Sequence, residues 1–197
     1  MKFKIFGTEI YISFLFAAVI SVMLVTDRTG LVLPTLFAVL LHEAAHLFAM
    51  WATGCEPHSI RLIPASVQIV RGFPKKPHGE AFIAAAGPAV NLAAAGVMLL
   101  NWLFCKNQSS LEFGALNLVI GLFNLLPVSG LDGGTLLFLL LSKRCDENRA
   151  ELTVKIITAV LAAAAFVAGA GLLAAGKFNP SVFAVALYLA VCIFIRA

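Results

Sequence analysis

Long apolar runs, separated by short polar clusters, dominate the chain. A helix needs about 20 predominantly apolar residues to cross a bilayer core about 30 Å thick. Six segments approach that pattern: Tyr11–Thr26, Leu31–Thr53, Glu80–Phe104, Leu111–Leu126 with a continuation over Asp132–Leu141, Leu152–Ala175 and Pro180–Ile195. The first is short for a span. Ahead of it, Lys2–Phe6 and Thr8–Tyr11 alternate polar and apolar residues, the signature of a small surface strand or hairpin. The stretch Cys55–Gly79 breaks the helical pattern. It holds Ile60-Arg61-Leu62-Ile63 and Val67-Gln68-Ile69-Val70-Arg71, punctuated by Pro57, Pro64, Pro74 and Pro77. It reads as one or two short extended strands at the membrane surface, or shielded by protein within it. The predicted fold is an all-α polytopic membrane protein with about six transmembrane helices and a short β-strand/loop segment between helices 2 and 3. It forms one integral-membrane domain over 1–197, with its core at 31–141 and helices 5–6 at 152–195.

Composition agrees with the pattern. Hydrophobic residues make up 61% of the chain and charged ones 12%, against about 45–50% and about 25% in soluble domains. The net charge of +4 does not require a nucleic-acid partner, because the basic residues sit between apolar runs. With the N-terminus inside, 11 of the 14 Lys and Arg residues face the cytoplasm; only Arg28, Lys106 and Lys177 lie outside. That asymmetry places both termini in the cytoplasm. Lys2 and Lys4 precede an apolar stretch that lacks a small-residue cleavage site, so it is read as a retained first span rather than a signal peptide. Cys55, Cys105, Cys145 and Cys192 are widely spaced with no CxxC pair, which argues against a disulfide framework or a cysteine metal site.

The second span contains His42-Glu43-Ala44-Ala45-His46, an H-E-x-x-H pattern. Residues four apart share a helix face, so both imidazoles can reach one metal ion. Glu43, about a quarter-turn away, is placed to accept a proton from an activated water. A charged side chain near mid-membrane costs at least ~2.5–3.5 kcal/mol, so three ionisable groups within five residues of a span point to function. Asp132 is the leading candidate for a third ligand. It follows a helix broken by Pro127 and Gly130 and precedes Gly133-Gly134, which permit close backbone approach. The alternative for Asp132 is an N-cap of the resuming helix. His58 and His78 are rival ligands in the polar loop.

These residues resemble the site-2 protease family of intramembrane metalloproteases. His42-Glu43-Ala44-Ala45-His46 matches its first motif, and Asn124, Pro127, Asp132 and Gly133 match the N-x-x-P-x-x-x-x-D-G second motif. Ala86-Gly87-Pro88 with Asn91 is similar to the family's third-helix element. The compact layout looks most like the stage IV sporulation protease FB subgroup, without that subgroup's CBS domain and with no PDZ domain. The resemblance implies one Zn2+ per chain held by His42, His46 and Asp132, with Glu43 and Asn124 as catalytic residues. Asn124 would aid carbonyl binding or polarisation; interhelical hydrogen bonding is its other reading. Gly87 and Asn91 are read as helix packing.

The implied activity is hydrolysis of peptide bonds in transmembrane or membrane-associated regulatory proteins, such as pro-sigma or anti-sigma factors. Inhibitory or regulatory membrane proteins are the implied further partners, in a bacterial cell membrane or a forespore-surrounding membrane. The alternative function is a membrane metal transporter using the same His, Glu and Asp cluster. That would favour ligands spread along a path and inverted repeats, and neither is visible in the sequence.

Overall fold

The computed structural model describes residues 2–5, 8–55, 57–63, 66–71, 79–177 and 179–194. They fall into two compact units, Met1–Leu122 and Phe123–Ala197.

The first unit opens with an antiparallel hairpin of β1 (Lys2–Ile5) and β2 (Thr8–Ile12), in register Lys2 to Tyr11. Helices α1 (Phe14–Thr26) and α2 (Val32–Thr53) follow. β3 (Pro57–Ile63) then lies parallel to β2, Glu9 opposite Ser59, and β4 (Ser66–Arg71) returns antiparallel beside it. Parallel neighbours need a long crossover, which the α1–α2 pair supplies. The sheet order is β1-β2-β3-β4. α3 (Gly79–Cys105) and α4 (Gln108–Asn124) follow.

Two turns fix where α2 starts and stops. Before it, the Asp27 carboxylate accepts hydrogen bonds from the backbone N–H groups of Thr29, Gly30 and Val32 at 2.9, 3.0 and 3.0 Å. After it, Gly54 adopts φ +70°, a left-handed conformation that favours glycine, and Cys55 N–H closes on the Met50 carbonyl at 2.9 Å. Buried Cys55 then packs with Ala49, Met50 and Ile83, tying the end of α2 to α3.

The second unit contains α5 (Asp132–Leu141), α6 (Glu147–Ala174) and α7 (Pro180–Cys192). Its core is Val128, Leu131, Ala162, Leu189 and Cys192. Gly169 lets the Phe183 ring approach α6, where it stacks edge-on against Phe166.

By length and composition α2, α3 and α6 can cross a membrane, whereas α1, α5 and α7 are shorter apolar helices. At 1.5 Å per residue the 13 residues of α1 reach about 20 Å, so helix length by itself does not deliver six crossings. The sixth expected span ends at Ile195, outside the described residues. Exposed side chains are themselves apolar: no residue of α1 is buried, and Phe14, Leu15, Val22 and Val25 all face outward. Water would penalise such a surface, whereas lipid solvates it.

The Val32 amide first, then the Thr29 hydroxyl and the Thr29 and Gly30 amides, hold the Asp27 carboxyl below its ordinary value of 3.8. A lowered folded-state pKa stabilises the turn above the ordinary carboxylate range, and that contribution is lost as pH falls through the folded value. The protection factors of the Thr29 and Val32 amides, referenced to intrinsic exchange rates, should therefore fall on acidification below about pH 4. In Asp27→Asn this pH dependence should be absent.

Candidate metal centre

His42 and His46 lie on one face of α2 and are both buried. Each ring has its Nδ1 held by an oxygen: His42 by Asn91 Oδ1 at 2.6 Å, His46 by the Ile83 carbonyl at 2.8 Å. A carbonyl can only accept, so His46 Nδ1 carries a proton. The Asn91 amide is oriented the same way, because its Nδ2 donates to the Ala38 carbonyl at 3.1 Å and to Asn117 Oδ1 at 2.8 Å. Its oxygen must then accept from His42 Nδ1. In its neutral form each imidazole therefore presents its Nε2 lone pair, and those two nitrogens stand 3.1 Å apart.

Two lone pairs facing each other repel, and a shared cation reconciles them. Two nitrogens bound to one tetrahedral zinc at about 2.0–2.1 Å stand about 3.3–3.4 Å apart. The pair is close to that spacing.

α3 forms one wall of this pocket. A Cβ on Gly87 would stand 2.6 Å from His42 Nε2 and nearer still to His46 Nε2. Gly87 and Asn91, four residues apart on α3, thus both abut the histidines, so packing alone does not describe them. The signal that could have found them was their spacing: a glycine and a buried amide four apart in an apolar helix share one face.

In the second unit, Asp132 is the first residue of α5 and is half-buried. The N-cap is Leu131, one residue earlier, so the capping alternative does not describe Asp132. The preceding loop is tightly pinned. Leu131 N–H reaches the Val128 carbonyl at 3.0 Å, and Ser129 N–H donates to Thr158 Oγ1 of α6 at 2.9 Å. Thr158 in turn donates to the Val154 carbonyl at 2.8 Å. Side chains at 133 and 134 would collide with the Leu125 and Val128 carbonyls, so this turn admits only glycine there.

Glu43 is half-buried on α2, and Asn124, also half-buried, ends α4. Among the described residues of the first unit, His42 and His46 form a donor group for a metal ion. Imidazole nitrogens suit zinc, which takes further ligands to complete a four-coordinate site. His58 is exposed on β3 and outside that group, and His78 lies outside the described residues.

The family model for peptidase family M50 matches residues 105–168, a stretch that includes Asn124 and Asp132 but not the α2 histidines. A zinc metalloprotease of Methanocaldococcus jannaschii is 32% identical over 155 residues, covering 72% of this chain and 45% of the relative. Rip3 of Mycobacterium tuberculosis is 31% identical over 151 residues, 68% of this chain and 38% of its own. This chain thus spans less than half the length of the curated relatives it matches. The solved structure of the site-2 protease from Methanocaldococcus jannaschii superimposes with a TM-score of 0.72 at 26% identity, covering 98% of this chain and 93% of that one. Together these findings support the peptidase M50, or site-2 protease, family. Both curated relatives carry the name of zinc metalloproteases.

The Gly87 contact gives a direct check. Gly87→Ala places a methyl group against both Nε2 atoms and should lower zinc retained on purification at least tenfold, within the 10–100-fold range typical of disturbed metal surroundings. Gly96→Ala, on the same helix with open space around it, should retain the wild-type content. Metal analysis of the two variants decides.

Proposed function

We propose that this chain is an intramembrane zinc endopeptidase acting on transmembrane or membrane-associated regulatory proteins. The observation that carries the reading is the buried histidine pair, both rings fixed through Nδ1 and their Nε2 atoms 3.1 Å apart on a membrane-length helix.

His42, His46 and Asp132 are the proposed protein ligands. Bound there, zinc would supply a Lewis acid that makes a water acidic near neutral pH. Glu43, next to a ligand on the same helix, takes up the water's proton and later delivers it to the leaving amine. Asn124 supplies an uncharged amide donor for the developing oxyanion. The short α1 and α7, with α4 continued by α5 as one further span, would complete a six-crossing topology, with both termini in the cytoplasm as the basic-residue asymmetry favours. In that orientation the sheet segment after α2 is cytoplasmic. Family resemblance extends the proposal to pro-sigma or anti-sigma substrates and to regulatory membrane partners.

Glu43→Gln keeps the side chain's size and removes the base. It should retain zinc while cleavage of a co-expressed membrane-anchored reporter falls by about 10²–10⁴; undiminished cleavage would remove Glu43 from the mechanism. Asp132→Ala should reduce bound zinc in the purified protein. Unchanged stoichiometry would take Asp132 out of the ligand set.

A further inference from the structure

The hydrogen bonds behind His42 do not end at Asn91. Asn117 of α4 accepts from Asn91 Nδ2 through its Oδ1 at 2.8 Å and donates its own Nδ2 to the Phe113 carbonyl at 2.9 Å. Both asparagines are fully buried. The Phe113 carbonyl can only accept, so it fixes which end of the Asn117 amide faces Asn91. That end in turn fixes Asn91, and Asn91 fixes His42. Glycines bring the helices close enough for this. Side chains at Gly114 and Gly121 would press on Met98, Leu99, Leu92 and Asn91 of α3 at 3.2–3.3 Å. Gly114, Asn117 and Gly121, spaced three and four apart, present one small-residue face of α4.

We propose that Asn117 is a positioning residue for the metal centre, holding His42 in the Nδ1–H tautomer through Asn91 so that Nε2 is available as a ligand. The inference rests on the metal reading of the histidine pair. With leucine at 117, one Asn91 amide hydrogen loses its acceptor within the protein interior, and the Ala38 carbonyl is left as the main determinant of the amide's orientation. A flipped Asn91 would offer N–H to His42 Nδ1, forcing the proton onto Nε2 and blocking coordination.

Co2+ titration of the purified full chain in detergent, followed by visible absorption, tests this without any substrate. Asn117→Leu should weaken Co2+ binding about tenfold, the lower end of what lost outer partners of metal-binding histidines typically produce. Asn117→Asp should stay within about threefold of wild type, because a protonated carboxyl has both the acceptor and the donor that the amide supplied. A folded leucine variant that binds Co2+ as wild type does overturns the proposal and leaves the metal centre standing. Wild-type protein that binds no Co2+, or a His42→Ala variant that binds it unchanged, overturns the metal reading itself. If the leucine variant loses its helical circular dichroism, ¹⁵N NMR of the histidines in metal-free wild type decides. A proton on His42 Nδ1 upholds the assignment, and one on Nε2 overturns it.

Discussion

Two imidazoles held with their Nε2 lone pairs toward each other are the constraint around which the first unit is organised. The arrangement is stable only if something prevents either ring from moving its proton to the inner nitrogen. Backbone carbonyls do this because they can accept but never donate. The Ile83 carbonyl acts directly on His46, while those of Ala38 and Phe113 act on His42 through two buried amides. In a low-dielectric interior an unsatisfied polar group is heavily penalised, so this network favours one proton arrangement over the others. The same polarity that fixes the tautomers prepares the site for a cation.

Small residues make the network possible. Gly87 admits the histidines against α3, and Gly114 and Gly121 let α4 close on the opposite side of Asn91. In the second unit, Gly133 and Gly134 let α5 start directly beneath the carbonyls of the broken segment, and Thr158 clips that segment to α6. Lipid gives apolar helices little reason to associate, so close backbone approach and interhelical hydrogen bonds take over that role. The outward-facing apolar side chains show the complementary half of the design: polar groups turn inward and hydrophobic ones face the solvent the protein is built for.

Much of the chemistry was legible in the chain itself. His42 and His46 mark a candidate metal site because helical spacing of four fixes two imidazoles on one face, whatever else surrounds them. Asp132 stood out as the candidate third ligand through its neighbours, since Pro127, Gly130, Gly133 and Gly134 mark a break that a carboxylate inside an apolar region needs. The helical segments followed from apolar run lengths, but their ends did not. α1 begins only at Phe14 because β2 extends to Ile12, and α6 starts at Glu147 because Asp146 accepts from the Asn148 N–H at its N-terminus.

By itself, then, the sequence determined a membrane-adapted helical chain and the residue types able to hold zinc, because hydropathy and period are properties of neighbouring residues. Tertiary structure alone decided the roles of Gly87, Asn91 and Asn117. Their partners lie 26 to 53 positions away, and an asparagine in an apolar helix looks the same in sequence whether it braces a neighbour or orients a ligand. The parallel pairing of β2 with β3 was likewise settled by the α1–α2 crossover that brings distant strands side by side. Local pattern specifies which groups are present. Only the packing of helices specifies which lone pair faces which proton.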